Sequence, residues 1–83
     1  MVEFAHMSLV ERIARVMAGE ALSSNANGSD PSAGDRVDRT WREHVPEALA
    51  VLHTIREPDQ AAAAAGDAAM WQRMIEASIA AAE

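Results

Sequence analysis

Eighty-three residues weighing 8.9 kDa have room for one small domain and no second. Surface scaling leaves roughly 4,800 Å² exposed of roughly 12,900 Å² in the unfolded chain, so only about 63% of its surface is buried on folding and the core is thin. With 22 large apolar side chains, 19 alanines and no cysteine, composition excludes a multi-domain enzyme, a membrane-spanning chain, a collagen-like chain and a disulfide-stapled secreted domain. Seven basic and 13 acidic residues give a net charge of −6, the reverse of the footprint that phosphate backbones demand, so nucleic acid is disfavoured as a partner. The acidic excess serves solubility, and it also suits docking on a basic surface. Every basic residue is arginine, which with the alanine content reads as GC-rich codon usage.

No run approaches the length of a membrane span, and the N-terminus lacks a signal peptide's basic segment and apolar core, so the expected location is cytoplasmic, with no membrane partner. Glu3-Phe4 and His6-Met7 are dipeptides that two common cloning sites encode in frame. Residues 1–6 are therefore read as a possible expression leader and 7–83 as the single helical domain, with Val2 to Met7 able to extend the first helix if ordered.

Ser8 to Leu22 places Leu9, Val10, Ile13, Val16 and Met17 on one helical side, opposite Glu11, Arg12 and Arg15. Ser8 stands three residues before Glu11, the spacing of a reciprocal N-terminal cap. Residues 23–35 contain no large apolar side chain, and they are expected to form a long polar loop that is mobile or used for binding. Helix is expected again from about Arg36 to His44, with Val37 and Trp41 on one face. Pro46 then marks a kink or a new start, because proline lacks the amide that an interior turn needs. Val45, Ala48, Leu49, Leu52 and Ile55 form the next stripe, ended by Pro58. Pro58 can itself open a short helix, with Asp59 and Gln60 as its first turn, Ala61 to Ala65 as its body and Gly66 as its left-handed cap. Asp67 can cap the last helix, which carries Ala68, Trp71, Met74, Ile75 and Ile79 on one side. The expected fold is all-α: a small bundle of three main amphipathic helices plus a short alanine-rich helix.

Candidate chemistry is sparse. His44 and His53 fall on different faces of any helix that joins them, and His44 with Glu47, or His53 with Glu57, supplies only two metal ligands. No serine lies in a GxSxG elbow, and the glycine-containing stretch has no lysine or P-loop spacing. A bundle this small is expected not to enclose the ~300 Å³ that a small-molecule site needs. No catalytic residue, metal, cofactor or small-molecule substrate is therefore expected. Trp41 and Trp71 read first as core anchors; the alternative is a partner-binding surface of Trp41, Met70, Trp71 and Met74, since tryptophan and arginine concentrate at interface hot spots. Arg36, Arg39 and Arg42 form a small basic stripe beside Trp41. Pairing with Asp35, Asp38 and Glu43 would account for it.

Val10-Glu11-Arg12-Ile13-Ala14-Arg15, Trp41-Arg42, Ile55-Arg56-Glu57-Pro58, Gly66 and Met70-Trp71-Gln72-Arg73-Met74-Ile75-Glu76-Ala77, in that order, resemble a group of small uncharacterised helical proteins encoded by phages and prophages of GC-rich bacteria. Asp59 stands where that group usually has threonine, and Ala61 to Ala65 replace a more varied stretch. The resemblance implies a setting among accessory phage genes and carries over no activity. The resulting expectation is a non-enzymatic protein-protein interaction protein that binds itself as a homodimer or binds a host protein. The alternatives are an acidic inhibitor of a host defence nuclease, similar to an anti-CRISPR protein, and a nucleic-acid accessory factor using the stripe from Arg36 to Arg42.

Overall fold

The computed structural model describes residues 5–26 and 33–82, with the side chains of all of these but 23–26 and 33. The elements are α1 (Leu9–Ala26), α2 (Ala33–Thr40), a 3₁₀ turn (Trp41–His44), α3 (Val45–Ile55), α4 (Gln60–Ala65) and α5 (Ala68–Ala82). Among the described residues there is no strand, and the fold is the expected small all-α bundle. None of these helices is long and apolar enough to cross a membrane.

Local chemistry accounts for most helix starts. The Ser8 hydroxyl accepts a hydrogen bond from the Glu11 amide at 3.1 Å, satisfying one of the free donors of the first turn. The Glu11 carboxylate does not return to Ser8 and instead accepts from Arg15 Nε at 2.8 Å, so only half of the reciprocal cap forms. Residues 5–8 are not helical, and the rest of the proposed leader and of the N-terminal helix extension, 1–4, lies outside the described residues. Pro46 occupies the first turn of α3, so it begins a helix rather than kinking one. Asp59 and Asp67 cap the next two helices, accepting from the amides of Ala62 at 2.8 Å and Met70 at 3.1 Å.

Two expected boundaries are corrected. The polar loop of residues 23–35 is shorter, because α1 continues to Ala26 and α2 starts at Ala33. Serine and asparagine cost a helix less than about 0.7 kcal/mol each. A run without large apolar side chains therefore does not by itself end the backbone ladder. What remains, 27–32, lies outside the described residues, and so does the mobility or binding role expected of it.

Gly66 is not a left-handed cap: its φ of −161° and ψ of −150° are extended. After the short α4 the chain straightens so that Asp67 can open the next helix. A Cβ on Gly66 meets nothing within 4 Å. Gly66→Ala is therefore expected to raise stability by about 0.4–1 kcal/mol through the unfolded chain, where a left-handed cap would lose at least that much. Urea unfolding followed by far-UV circular dichroism decides the sign.

The core is built from Val10 and Ala14 of α1, Ala48 and Leu52 of α3, and Ile75 and Ile79 of α5. Leu9, Ile13, Met17, Trp41, Val45 and Leu49 pack around it half-buried. Val16 is not in the apolar seam expected for it: it is 64% exposed, while Ala14 and Ala18 are buried. A seam of Val10, Ala14 and Ala18 repeats every four residues and lets α1 approach its neighbours closely, which turns Val16 outward. Among the described residues of α4 none is buried.

Candidate functional site

The residues singled out in the sequence fall into two groups. The first surrounds Trp41, half-buried on the 3₁₀ turn against the core. The Arg42 guanidinium lies 4.5 Å from the centroid of the indole and that of Arg15 lies 5.4 Å away, both within cation–π range. Arg15 also donates to Asp38 of α2 at 2.6 Å as well as to Glu11. The Asp38 hydrogen bond, and after it the Glu11 hydrogen bond, hold the Arg15 pKa above its ordinary value. Asp38 is thus engaged across helices rather than within α2, and Arg15 joins α1, α2 and the indole. Sequence reading left Arg15 on a solvated face; its spacing from Glu11 was the available signal. Arg36 and Arg39 are exposed on α2, and the Arg36 carbonyl accepts from the Thr40 hydroxyl at 2.7 Å.

The second group lies on the first half of α5. Expected as one buried stripe, α5 is divided: Ile75 and Ile79 enter the core, while Met70, Trp71 and Met74 are 47%, 40% and 61% exposed. Core packing therefore describes Trp41 and not Trp71. The indole N–H of Trp71 donates to the Ile55 carbonyl at 2.7 Å, one of the terminal carbonyls of α3 that no intrahelical amide can satisfy. Arg56 and Glu76 form a 2.8 Å ion pair that also ties the end of α3 to α5. These contacts fix the indole at the end of α3 rather than among the core side chains. Met70 and Met74 extend the exposed surface along α5, and the Arg73 guanidinium lies 3.6 Å from the Met70 sulfur.

Between α4 and α5 runs a groove of about 390 Å³, walled by Pro58, Ala62 and Ala65 on one side and by Met70, Trp71 and Met74 on the other. The groove is an open one on the surface, with largely exposed side chains for walls, and so differs from the enclosed site that a bundle this small was expected not to form. Five consecutive alanines make its α4 wall low and smooth. Among the described residues Asp67 is the one ionisable group lining it, and its carboxylate accepts the Met70 amide. The groove therefore offers burial of apolar surface and no paired groups for proton transfer. Sequence reading found the α5 wall but missed the α4 wall, because small residues carry no hydrophobic signal of their own.

The histidines His44 and His53 do not line the α4–α5 groove. His44 Nδ1 lies 3.4 Å from Glu47 Oε1 without making a hydrogen bond, and His53 borders a separate hollow with Arg56, Glu76, Ile79 and Ala80. Among the described residues no three His, Cys, Asp or Glu side chains gather as a metal set would. No family model, curated protein or solved structure matches the chain significantly.

Proposed function

We propose that this chain is a non-enzymatic protein-binding domain, an accessory protein of a phage or prophage acting in the cytoplasm, whose docking surface is the groove between α4 and α5. The observation that carries the binding role is the adjacency of Met70, Trp71 and Met74, all exposed on one side of an apolar groove. Single exposed apolar residues need no explanation, whereas a contiguous group containing tryptophan has the composition of an interface centre. The non-enzymatic part is supported by a groove without acid–base pairs or a nucleophile, and the phage setting by the sequence resemblance alone. The alternative stripe of Arg36, Arg39 and Arg42 draws less support as a nucleic-acid surface, because Arg42 lies over the Trp41 ring.

A photo-crosslinking amino acid placed at Met74, with Val16 as a control site of matching exposure, tests the assignment in cells that express the protein. A protein adduct is expected at position 74 and none at position 16. Equal labelling at both sites, or none at 74, removes the groove as the docking surface.

A further inference from the structure

We propose that the occupant of the α4–α5 groove is an amphipathic helix of another protein, its apolar stripe bordered at both ends by lysine or arginine. Resting on the reading of the groove as a docking surface, this adds the chemistry of the partner. The groove continues beyond the residues already named. A second hollow of about 300 Å³ shares Pro58, Ala62 and Trp71 with it and is lined further by Ile55, Glu57 and Asp59. Each of the two has about the volume at which a site holds a ligand. Together they form one trough with Pro58, Ala62 and Trp71 at its middle, Asp67 and Met74 in the first hollow, and Glu57 and Asp59 in the second.

The walls are side chains of α4, α5 and the segments leading into them, with Met70, Trp71 and Met74 all exposed. Such a trough rewards burial of apolar side chains, and among the described residues no strand edge is present for an extended peptide to pair with. A helix sets its apolar side chains along one line, at every third or fourth position, and fits a trough of this kind. The low alanine wall of α4 lets the incoming backbone approach closely.

Charge selects the flanks of that helix. Asp67 in one hollow and Glu57 and Asp59 in the other are exposed, while among the described residues no arginine lines either. Asp59 and Asp67 each accept one amide hydrogen bond at a helix start, whose partial charge of about half a unit offsets part of each carboxylate and leaves the rest. Two arginines stand nearby. Arg56 is paired with Glu76, and Arg73 lies beside Met70, so the three carboxylates outnumber the one cation left at the rim. The net charge of −6 draws a basic partner at long range, in the same sense as the local charges. An acidic or uncharged helix would leave those carboxylates unmatched.

Two dye-labelled helical peptides test this by fluorescence anisotropy with the full chain. Both carry leucine at i, i+3, i+4 and i+7, one bordered by lysine pairs and the other by glutamate pairs. The lysine peptide is expected to bind at least about tenfold more tightly in low salt, and the gap to narrow in high salt, where the Debye length falls to about 3 Å. Asp59→Asn with Asp67→Asn keeps both caps, since asparagine caps as well as aspartate, and is expected to weaken the lysine peptide at least about twofold. Glu20→Gln with Glu43→Gln removes as much charge from exposed sites outside the trough and is expected to leave binding unchanged. Met74→Ala, in the α5 wall, is expected to weaken both peptides. Equal affinity for the two peptides, equal loss in the two double variants, indifference to Met74→Ala, or no binding up to about 1 mM overturns the proposal. So does a doubled mass in sedimentation that Met74→Glu abolishes, which gives the groove to a second copy. In any of these outcomes an adduct from position 74 keeps the docking surface and changes only its occupant; without that adduct both readings fall.

Discussion

Leu52→Ala is expected to lower the unfolding free energy by about 2–5 kcal/mol, the range for removing a buried leucine from a close-packed core. Among the described residues Leu52 is the one large side chain that is fully buried. Its neighbours in the cluster come from three helices, Val10 and Ala14 of α1, Ala48 of α3, and Ile75 and Ile79 of α5. Filling the resulting void would require α1 and α5 to move toward α3 together. A domain of this length has a total stability of about 4–12 kcal/mol, so the variant loses a large share of it. The melting temperature should fall by about 8–40 °C, at roughly 4–8 °C per kcal/mol for a domain of this size. Thermal unfolding by circular dichroism measures the fall, with Val16→Ala as the control. That exposed site should change stability by less than about 0.5 kcal/mol. A shift no larger than that for Leu52→Ala would mean that the three helices do not share one core.

The second large effect runs against hydrophobicity. Ala14→Leu adds apolar surface and keeps helix propensity, yet it is expected to destabilise by about 1–3 kcal/mol. Ala14 is fully buried, as is Ala48 in the same cluster. With a methyl group as the whole side chain at each position, α1 and α3 come close, and three further carbons have no volume to enter. The added leucine must leave its rotamer or push α1 away from Leu52. Urea unfolding gives the magnitude. An unchanged midpoint would show that α1 and α3 are separated by more space than the fold contains. Leucine at the exposed Val16, two residues further along α1, should be close to neutral.

The alanine positions also explain which parts of the fold were legible. Caps at Ser8 and Asp67 were readable because they are local, each acting on an amide three residues away; Asp59, expected in the first turn of a helix opened by Pro58, is instead the cap before Gln60. Pro46 was readable as a boundary, and its place in the first turn of α3 chose between the two readings it allowed. Burial was harder. Large side chains dominate any apolar pattern, so Val16 was assigned to the seam that Ala14 and Ala18 occupy. Helix ends beyond the core were harder still, since the last turn of α1 reads Ser-Ser-Asn-Ala and offers no apolar pattern to extend. The fate of Trp71 could not be read locally. Its periodicity with Ile75 is continuous, and only the placement of α3 against α5 shows that the indole meets a carbonyl of Ile55 rather than the core.

The separateness of α4 has an evolutionary consequence. Repetitive GC-rich codons are prone to slippage during replication, and the run from Ala61 to Ala65 is where such a tract would lengthen or contract. Elsewhere in the bundle a gained or lost residue would rotate a packed helix by about 100° and carry its seam away from the neighbouring helices. In α4 nothing is buried, and Asp59 and Asp67 close the helix starts on either side independently. On the proposed reading of the groove as the docking surface, changes in tract length would therefore reshape that surface without disturbing a buried seam, making this short segment the place where specificity would diverge among descendants.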